Sequence, residues 1–123
     1  MIDIMKNDAS AIRKAKDLSS ASIPILVGTP TIFELYIGVG LSVRSGEERE
    51  KVLDILRSLP HLTLDAASAS RAGIICAQRV KEKTKIDSED AMLAGIAIQN
   101  NESLLTRNRK GFAGIPELKL ETY

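Results

Sequence analysis

The stretch Ile23-Pro24-Ile25-Leu26-Val27-Gly28-Thr29-Pro30-Thr31-Ile32-Phe33-Glu34-Leu35-Tyr36-Ile37-Gly38 decides the fold class of this 123-residue chain. Residues 23 to 27 are aliphatic and mostly β-branched, are interrupted only by Pro24 near the start, and lack the alternation of a strand with one face in water. They predict a buried parallel strand. Gly28 to Thr31 then supplies a turn residue, a capping hydroxyl and a proline suited to a first helical position, so a helix starts where the strand ends.

The same alternation extends in both directions. Upstream, Ala9, Ile12, Ala15 and Leu18 recur every three to four residues between charged positions, with Asp8 able to cap the start, which predicts an amphipathic helix over Asp8 to Leu18. Downstream, Gly46 to Leu59 carries Val52, Leu53, Ile55, Leu56 and Leu59 among charged residues and is closed by Pro60, the clearest helix in the sequence. Leu62-Thr63-Leu64 predicts a short strand, and Asp65 can cap a helix through the alanine-rich segment Ala66 to Lys83. Asp87 or Ser88 can cap the next helix, Glu89 to Gln99, whose Met92, Leu93, Ile96 and Ile98 wrap most of its circumference and predict burial. Ser103 to Thr106 and Leu118 to Leu120 supply two more strands. Short strands alternating with helices predict an α/β fold with a mostly parallel sheet, and with no internal repeat or linker the expectation is a single domain over residues 1–123.

Composition narrows the function classes. Hydrophobic residues at 44% and charged residues at 27% are those of a folded globular protein rather than a disordered one. With four aromatics (Phe33, Tyr36, Phe112, Tyr123) and no Trp, the core must be aliphatic, and the composition argues against base-stacking aromatic platforms of the RRM or OB kind. A net charge of +1 excludes a basic coat that binds nucleic acid by charge alone, leaving room only for a local patch. Lone Cys76 allows no internal disulfide, and without a Cys/His cluster there is no structural zinc site, which points to a reducing compartment. No apolar run approaches the roughly 20 residues of a membrane span and no secretory signal opens the chain, so a cytoplasmic location without membrane contact is expected.

Ligands of parallel α/β sheets gather at the carboxyl ends of the strands. Three places there carry chemistry. Glu34 lies in the first turns of the helix after the Ile23 to Val27 strand, inside an apolar segment, where a carboxylate must lie near the surface, in a cleft, or paired. Asp90 lies in the first turn of the buried helix with Asp87 one turn earlier. Thr106-Arg107-Asn108-Arg109-Lys110 follows a strand directly and mixes a hydroxyl, an amide and three cations. Carboxylates converging on one cleft repel unless a hard divalent cation neutralises them, and Mg²⁺ or Mn²⁺ is bound this way together with substrate phosphates. The implied chemistry is metal-assisted phosphoryl hydrolysis, with Arg107, Arg109 and Lys110 on the flanking backbone. Taken one at a time, each residue has a plainer reading: Glu34 serves the helix dipole, Asp87 or Asp90 caps a helix, and the cations sit in a solvated loop. His61 beside Pro60 reads as a turn residue without a role. Cys76 reads as a small core residue, and Ala72, Gly73 and Ala77 as a close-packing stripe.

Taken together, the segments resemble the PIN-domain family, especially the VapC toxin ribonucleases of VapBC toxin–antitoxin pairs, over nearly the whole chain. Thr31 to Gly38 resembles the family segment T-x-x-E-L-x-x-G, Asp90 to Ala97 resembles D-x-x-I-A-A-x-A, and Leu104 to Phe112 resembles L-V-T-x-N-x-x-D-F. The resemblance implies a PIN-like three-layer α/β/α sandwich with a mostly parallel central sheet and the activity of a Mg²⁺- or Mn²⁺-dependent endoribonuclease. It places the second and third family acids at Glu34 and Asp90, and assigns Thr106 and Asn108 to the edge of the site. It also implies a homodimer held inactive by an antitoxin segment, and Ile37, Val39, Leu41 and Val43 supply apolar residues near the groove for such a partner.

Two departures qualify this. The family opens with a strand ending in D-T-S/N-x-L-I-D, of which Met1-Ile2-Asp3 matches only the last three positions. Asp3 is therefore not the leading ligand, and that Asp, with the first strand, is expected upstream of Met1. At Gly111 the family acid before Phe112 is replaced, so Asn108 and Asp87 become the candidates to complete the metal set of Glu34 and Asp90. Fewer acids predict weak metal affinity and low activity. One alternative is therefore a catalytically inactive PIN-like module that keeps only protein or RNA binding. Another, a receiver- or flavodoxin-type domain, requires a phosphate-cradling Gly-rich loop or a phosphoacceptor Asp directly after a strand, and neither is visible.

Overall fold

The computed structural model describes residues 26–41, 46–106 and 108–122. Among them, β1 (Val27–Gly28) runs directly into α1 (Thr29–Leu41), followed by α2 (Gly46–Ser58), β2 (His61–Leu62), α3 (Ala66–Lys81), α4 (Ser88–Gln99), β3 (Ser103–Leu105), α5 (Arg109–Phe112) and β4 (Lys119–Glu121). Both strand pairs are parallel: Val27 and Gly28 of β1 face His61 and Leu62 of β2, and Ser103 to Leu105 of β3 face Lys119 to Glu121 of β4. Each crossover carries at least one helix, α1 with α2 in the first pair and α5 in the second, as parallel pairing requires. This is the α/β alternation expected from the sequence.

The core is built around α4. Leu93, Ala94, Ile96 and Ala97 pack with Leu104, Phe112 and Ile115, and Leu62, Leu64, Ile75, Ile86, Ile98, Leu118 and Leu120 close around them. Leu62 and Leu64 bring the β2 region onto the same cluster that holds β3 and β4. The expected burial of the Glu89 to Gln99 helix is borne out: Ala91, Leu93, Ala94, Gly95, Ile96 and Ala97 are all buried. Against it lies α3, the most extensive helix pairing among the described residues. A Cβ on Gly95 would run into the Ser68 carbonyl oxygen and come within 3.1 Å of the Ala72 backbone nitrogen, so these two helices approach backbone to backbone and only glycine fits.

The ends of the elements follow the capping logic. The Asp65 carboxylate accepts from the Ser68 backbone N–H at 2.8 Å and caps α3 as expected. Asp87 occupies the N-cap position of α4, but its side chain makes no capping hydrogen bond. Helix α3 stops at Lys81 rather than Lys83, because Lys83 takes a left-handed conformation (φ 58°) that ends the helix.

Three local expectations need correction. The Leu62 to Leu64 strand begins and ends earlier, at His61–Leu62, so His61 is a strand residue facing Val27 and not part of a turn; its Nε2 lies 3.4 Å from the Leu56 carbonyl oxygen. Of the stripe Ala72, Gly73 and Ala77, only Ala72 is buried, since the face of α3 against α4 runs through Ser68 and Ala72. Cys76 is half-buried and not a core residue. The helix expected over Asp8 to Leu18, and Ile23 to Ile25 of the first strand, lie outside the described residues. Among those described, no helix is long and apolar enough to cross a membrane.

Candidate active site

The residues singled out by chemistry sit on three elements that touch through α4. Helix α1 packs against α4, and α4 in turn contacts β3 and α5. The start of α1 is fixed from two sides: Val27 is buried just before it, and the Thr29 hydroxyl accepts from the Leu64 backbone N–H at 3.1 Å, linking α1 to the segment after β2. Thr31 is buried and Phe33 is 61% exposed, and Glu34 falls between these faces, half-buried, with Leu35 buried beside it. A carboxylate at this boundary is partly withdrawn from water without being sealed in the core, the placement an apolar-flanked acid requires.

Asp90 lies in the first turn of α4, half-buried beside fully buried Ala91, where the positive end of the helix dipole favours a negative charge. Asp87 is exposed at the entrance to the same helix, with its carboxylate not committed to a cap.

The end of β3 leads into a tightly bonded turn. Thr106 is fully buried and its backbone N–H donates to the Glu121 carbonyl at 2.9 Å, prolonging the β3–β4 pairing. Its hydroxyl accepts from the Asn108 backbone N–H at 3.0 Å, and the Asn108 Oδ1 accepts from the Gly111 backbone N–H at 3.2 Å, capping α5. The structure therefore brings Thr106 and Asn108 together through hydrogen bonds. A Cβ at position 111 would collide with the Asn108 amide, so Gly111 is the residue that makes room for this cap. Arg109 and Lys110 are exposed on α5; Arg107 lies outside the described residues. One contributor gave no local signal. Arg79, near the end of α3, donates through Nη2 to the carbonyls of Gly111 (3.2 Å) and Ala113 (2.8 Å) and grips the same turn from behind.

Among the described residues, no group of three or more His, Cys, Asp or Glu is placed to hold a metal ion. What α1 and α4 supply is Glu34 and Asp90, hard oxygen donors. Mg²⁺ is commonly held by one or two carboxylates completed by water and substrate phosphates, so the chemistry of this donor set suits Mg²⁺ or Mn²⁺ and not a Cys/His-bound transition metal.

Helix-linked parallel strands, with Glu34 on α1, Asp90 in the first turn of the touching helix α4 and a polar turn at the end of β3, define an α/β protein with acids on two packed helices. The chain belongs to the PIN-domain family, whose model matches residues 1–118. It is similar to the tRNA(fMet)-specific endonuclease VapC of Salmonella typhimurium, with 25% identity over 119 residues covering 97% of this chain and 89% of that protein. Among solved structures it is similar to VapBC2 from Rickettsia felis bound to a DNA fragment from their promoter, at 28% identity and a TM-score of 0.77 over 96% of this chain and 88% of that one. It is equally similar in fold to the DNA-bound VapBC from Salmonella typhimurium, at 26% identity and a TM-score of 0.77 over 95% of this chain and 87% of that one. The expected PIN-like fold and the likeness to VapC toxins are both borne out.

Proposed function

We propose that the protein is a Mg²⁺- or Mn²⁺-dependent endoribonuclease, the toxin of a cytoplasmic toxin–antitoxin pair, hydrolysing RNA phosphodiester bonds. The observation that supports this reading is that α1, β3 and α5 all pack against α4, the helix that carries Asp90, so the elements bearing Glu34 and the Thr106–Asn108 pair are joined through it. The divalent ion, when bound, supplies Lewis acidity and a water of lowered pKa. Glu34 and Asp90 would hold it, with Asp87 and Asn108 as the candidates to complete the set. Thr106 fixes Asn108 through its hydroxyl. Arg107, Arg109 and Lys110 hold the phosphates flanking the scissile bond, a role for which the exposure of Arg109 and Lys110 suits them.

An antitoxin partner is supported by the outer face of α1. Phe33, Tyr36, Ile37 and Leu41 recur every three to four residues and are all exposed, Leu41 at 79%. A helix that leaves four large apolar side chains in water offers a groove or stripe for a partner's apolar segment. The side chain of Val39 and all of Val43, expected on the same surface, lie outside the described residues. A homodimer completes the proposed assembly.

The test is cleavage of tRNA by the purified protein in Mn²⁺, with tRNA(fMet), the substrate in the Salmonella relative's name, as the first probe. Glu34→Gln and Asp90→Asn are expected to lower the rate by about 100-fold or more, the loss of several kcal/mol of transition-state stabilisation. Cleavage that persists in both variants overturns the assignment. A specific observation favours the second reading, a PIN module without catalysis: the Asn108 amide fills the space that a side chain at position 111 would need, so no acid stands there. RNA binding without cleavage, unchanged by Glu34→Gln, selects that reading.

A further inference from the structure

We propose that Arg79 is a positioning residue of the site, holding the turn that carries Asn108, Arg109 and Lys110 in its working orientation; its catalytic consequence rests on the nuclease reading. Helix α5 has only four residues, too few to sustain themselves, and its final carbonyls have no partners within the helix. Three outside contacts hold it. Phe112 is anchored in the core at 1% exposure, Asn108 caps the start, and Arg79 takes the carbonyls of Gly111 and Ala113 with one guanidinium nitrogen.

These bonds form an unbroken chain. Arg79 donates to the Gly111 carbonyl, the Gly111 N–H donates to the Asn108 side chain, the Asn108 N–H donates to the Thr106 hydroxyl, and the Thr106 N–H donates to the Glu121 carbonyl. The position of the Asn108 amide is thus set from both ends, by the sheet through Thr106 and by α3 through Arg79. A basic residue near a helix C-terminus ordinarily serves that helix's own dipole. Here the last carbonyls of α3 are already taken: those of Gln78, Arg79 and Val80 accept from the backbone N–H groups of Glu82, Thr84 and Lys83. The guanidinium of Arg79 is directed instead at a segment more than 30 residues along the chain. Hydrogen bonds from a charged donor are the stronger class, and Nη2 of the rigid, planar guanidinium serves both carbonyls.

The experiment compares Arg79→Gln, Arg79→Lys and Arg71→Gln with the parent protein. Arg71 is the matched control: it lies on the same helix and bonds Gln99 and Glu117, away from the Asn108 turn. In ¹⁵N-resolved spectra, Arg79→Gln is expected to shift the Asn108 and Gly111 amides and speed their hydrogen exchange, Arg79→Lys to do so partially, and Arg71→Gln to leave them in place. With RNA substrate, Arg79→Gln is expected to raise KM about tenfold with kcat changed far less, since the cations of the turn contact phosphate rather than the reacting bond. Unmoved Asn108 and Gly111 amides in Arg79→Gln overturn the proposal. So does a kinetic loss that Arg71→Gln reproduces in proportion to its melting temperature, because that is a stability effect alone. If the parent protein cleaves no RNA, the nuclease reading fails by itself and the amide shifts alone decide whether Arg79 positions the turn.

Discussion

At position 111 a hydrogen atom stands where most residues carry a Cβ, and the Asn108 amide occupies the space. The two residues act as one unit: Asn108 can cap α5 only while position 111 is bare. Gly111→Ala is expected to drive Asn108 out of its cap and destabilise the protein by about 1 kcal/mol, measured by chemical denaturation, with partial recovery in the Gly111→Ala/Asn108→Gly double variant, because glycine is tolerated at an N-cap. Asp65 shows the electrostatic side of capping. The Ser68 backbone N–H donated to its carboxylate holds its pKa below the ordinary 3.8. A pKa lower in the folded than in the unfolded chain gives stability that is complete above the unfolded value and lost as the pH falls through the folded one. The melting temperature of the parent protein is therefore expected to drop more steeply below pH 3.8 than that of Asp65→Asn, which keeps a capping oxygen without a charge.

Among the elements, α4 was fully legible and α3 only half so. Apolar residues on all sides of Glu89 to Gln99 leave burial as the only solution, and Asp65 marks the start of α3 unambiguously. The buried face of α3 could not be read from its own residues, because Ala66, Ala67, Ala69, Ala72, Gly73 and Ala77 offer no contrast in hydrophobicity around the helix. Its packing face is selected by Gly95 on the partner helix, where backbone meets backbone. Gly95→Ala is accordingly expected to cost about 2 kcal/mol or more, since the atoms it meets belong to backbone and cannot turn aside, whereas Gly73→Ala, with open space around it, is expected to be neutral or slightly stabilising. Strand β2 lies at His61–Leu62 and not at the expected Leu62 to Leu64 for a related reason. Two residues are too short for a pattern, and an exposed histidine after a proline carries a turn signal that pairing with β1 overrides.

Across the whole molecule, the sequence named the acids but not their neighbourhood. The proposal that Glu34 and Asp90 share one site comes from their resemblance to family segments, and the contact of α1 with α4 is a product of tertiary packing without a local signature. The grip of Arg79 on the α5 turn has no local signature for the same reason, its partners being separated from it by the whole of α4 and β3. The exposed stripe on α1 is the large-scale counterpart of these contacts. Leu41→Asp is expected to weaken a complex with the cognate antitoxin at least tenfold by calorimetry while leaving the melting temperature of the isolated protein nearly unchanged, because Leu41 contributes little to the core.

The most direct measurement is a Mn²⁺ titration followed by paramagnetic broadening of backbone amides. If Glu34 and Asp90 serve one ion, the amides around Glu34, Asp90 and Asn108 broaden together at the lowest Mn²⁺ concentrations, and either Glu34→Gln or Asp90→Asn abolishes the effect at all three places. Broadening confined to one of these places, or left intact by both substitutions, contradicts a shared metal site.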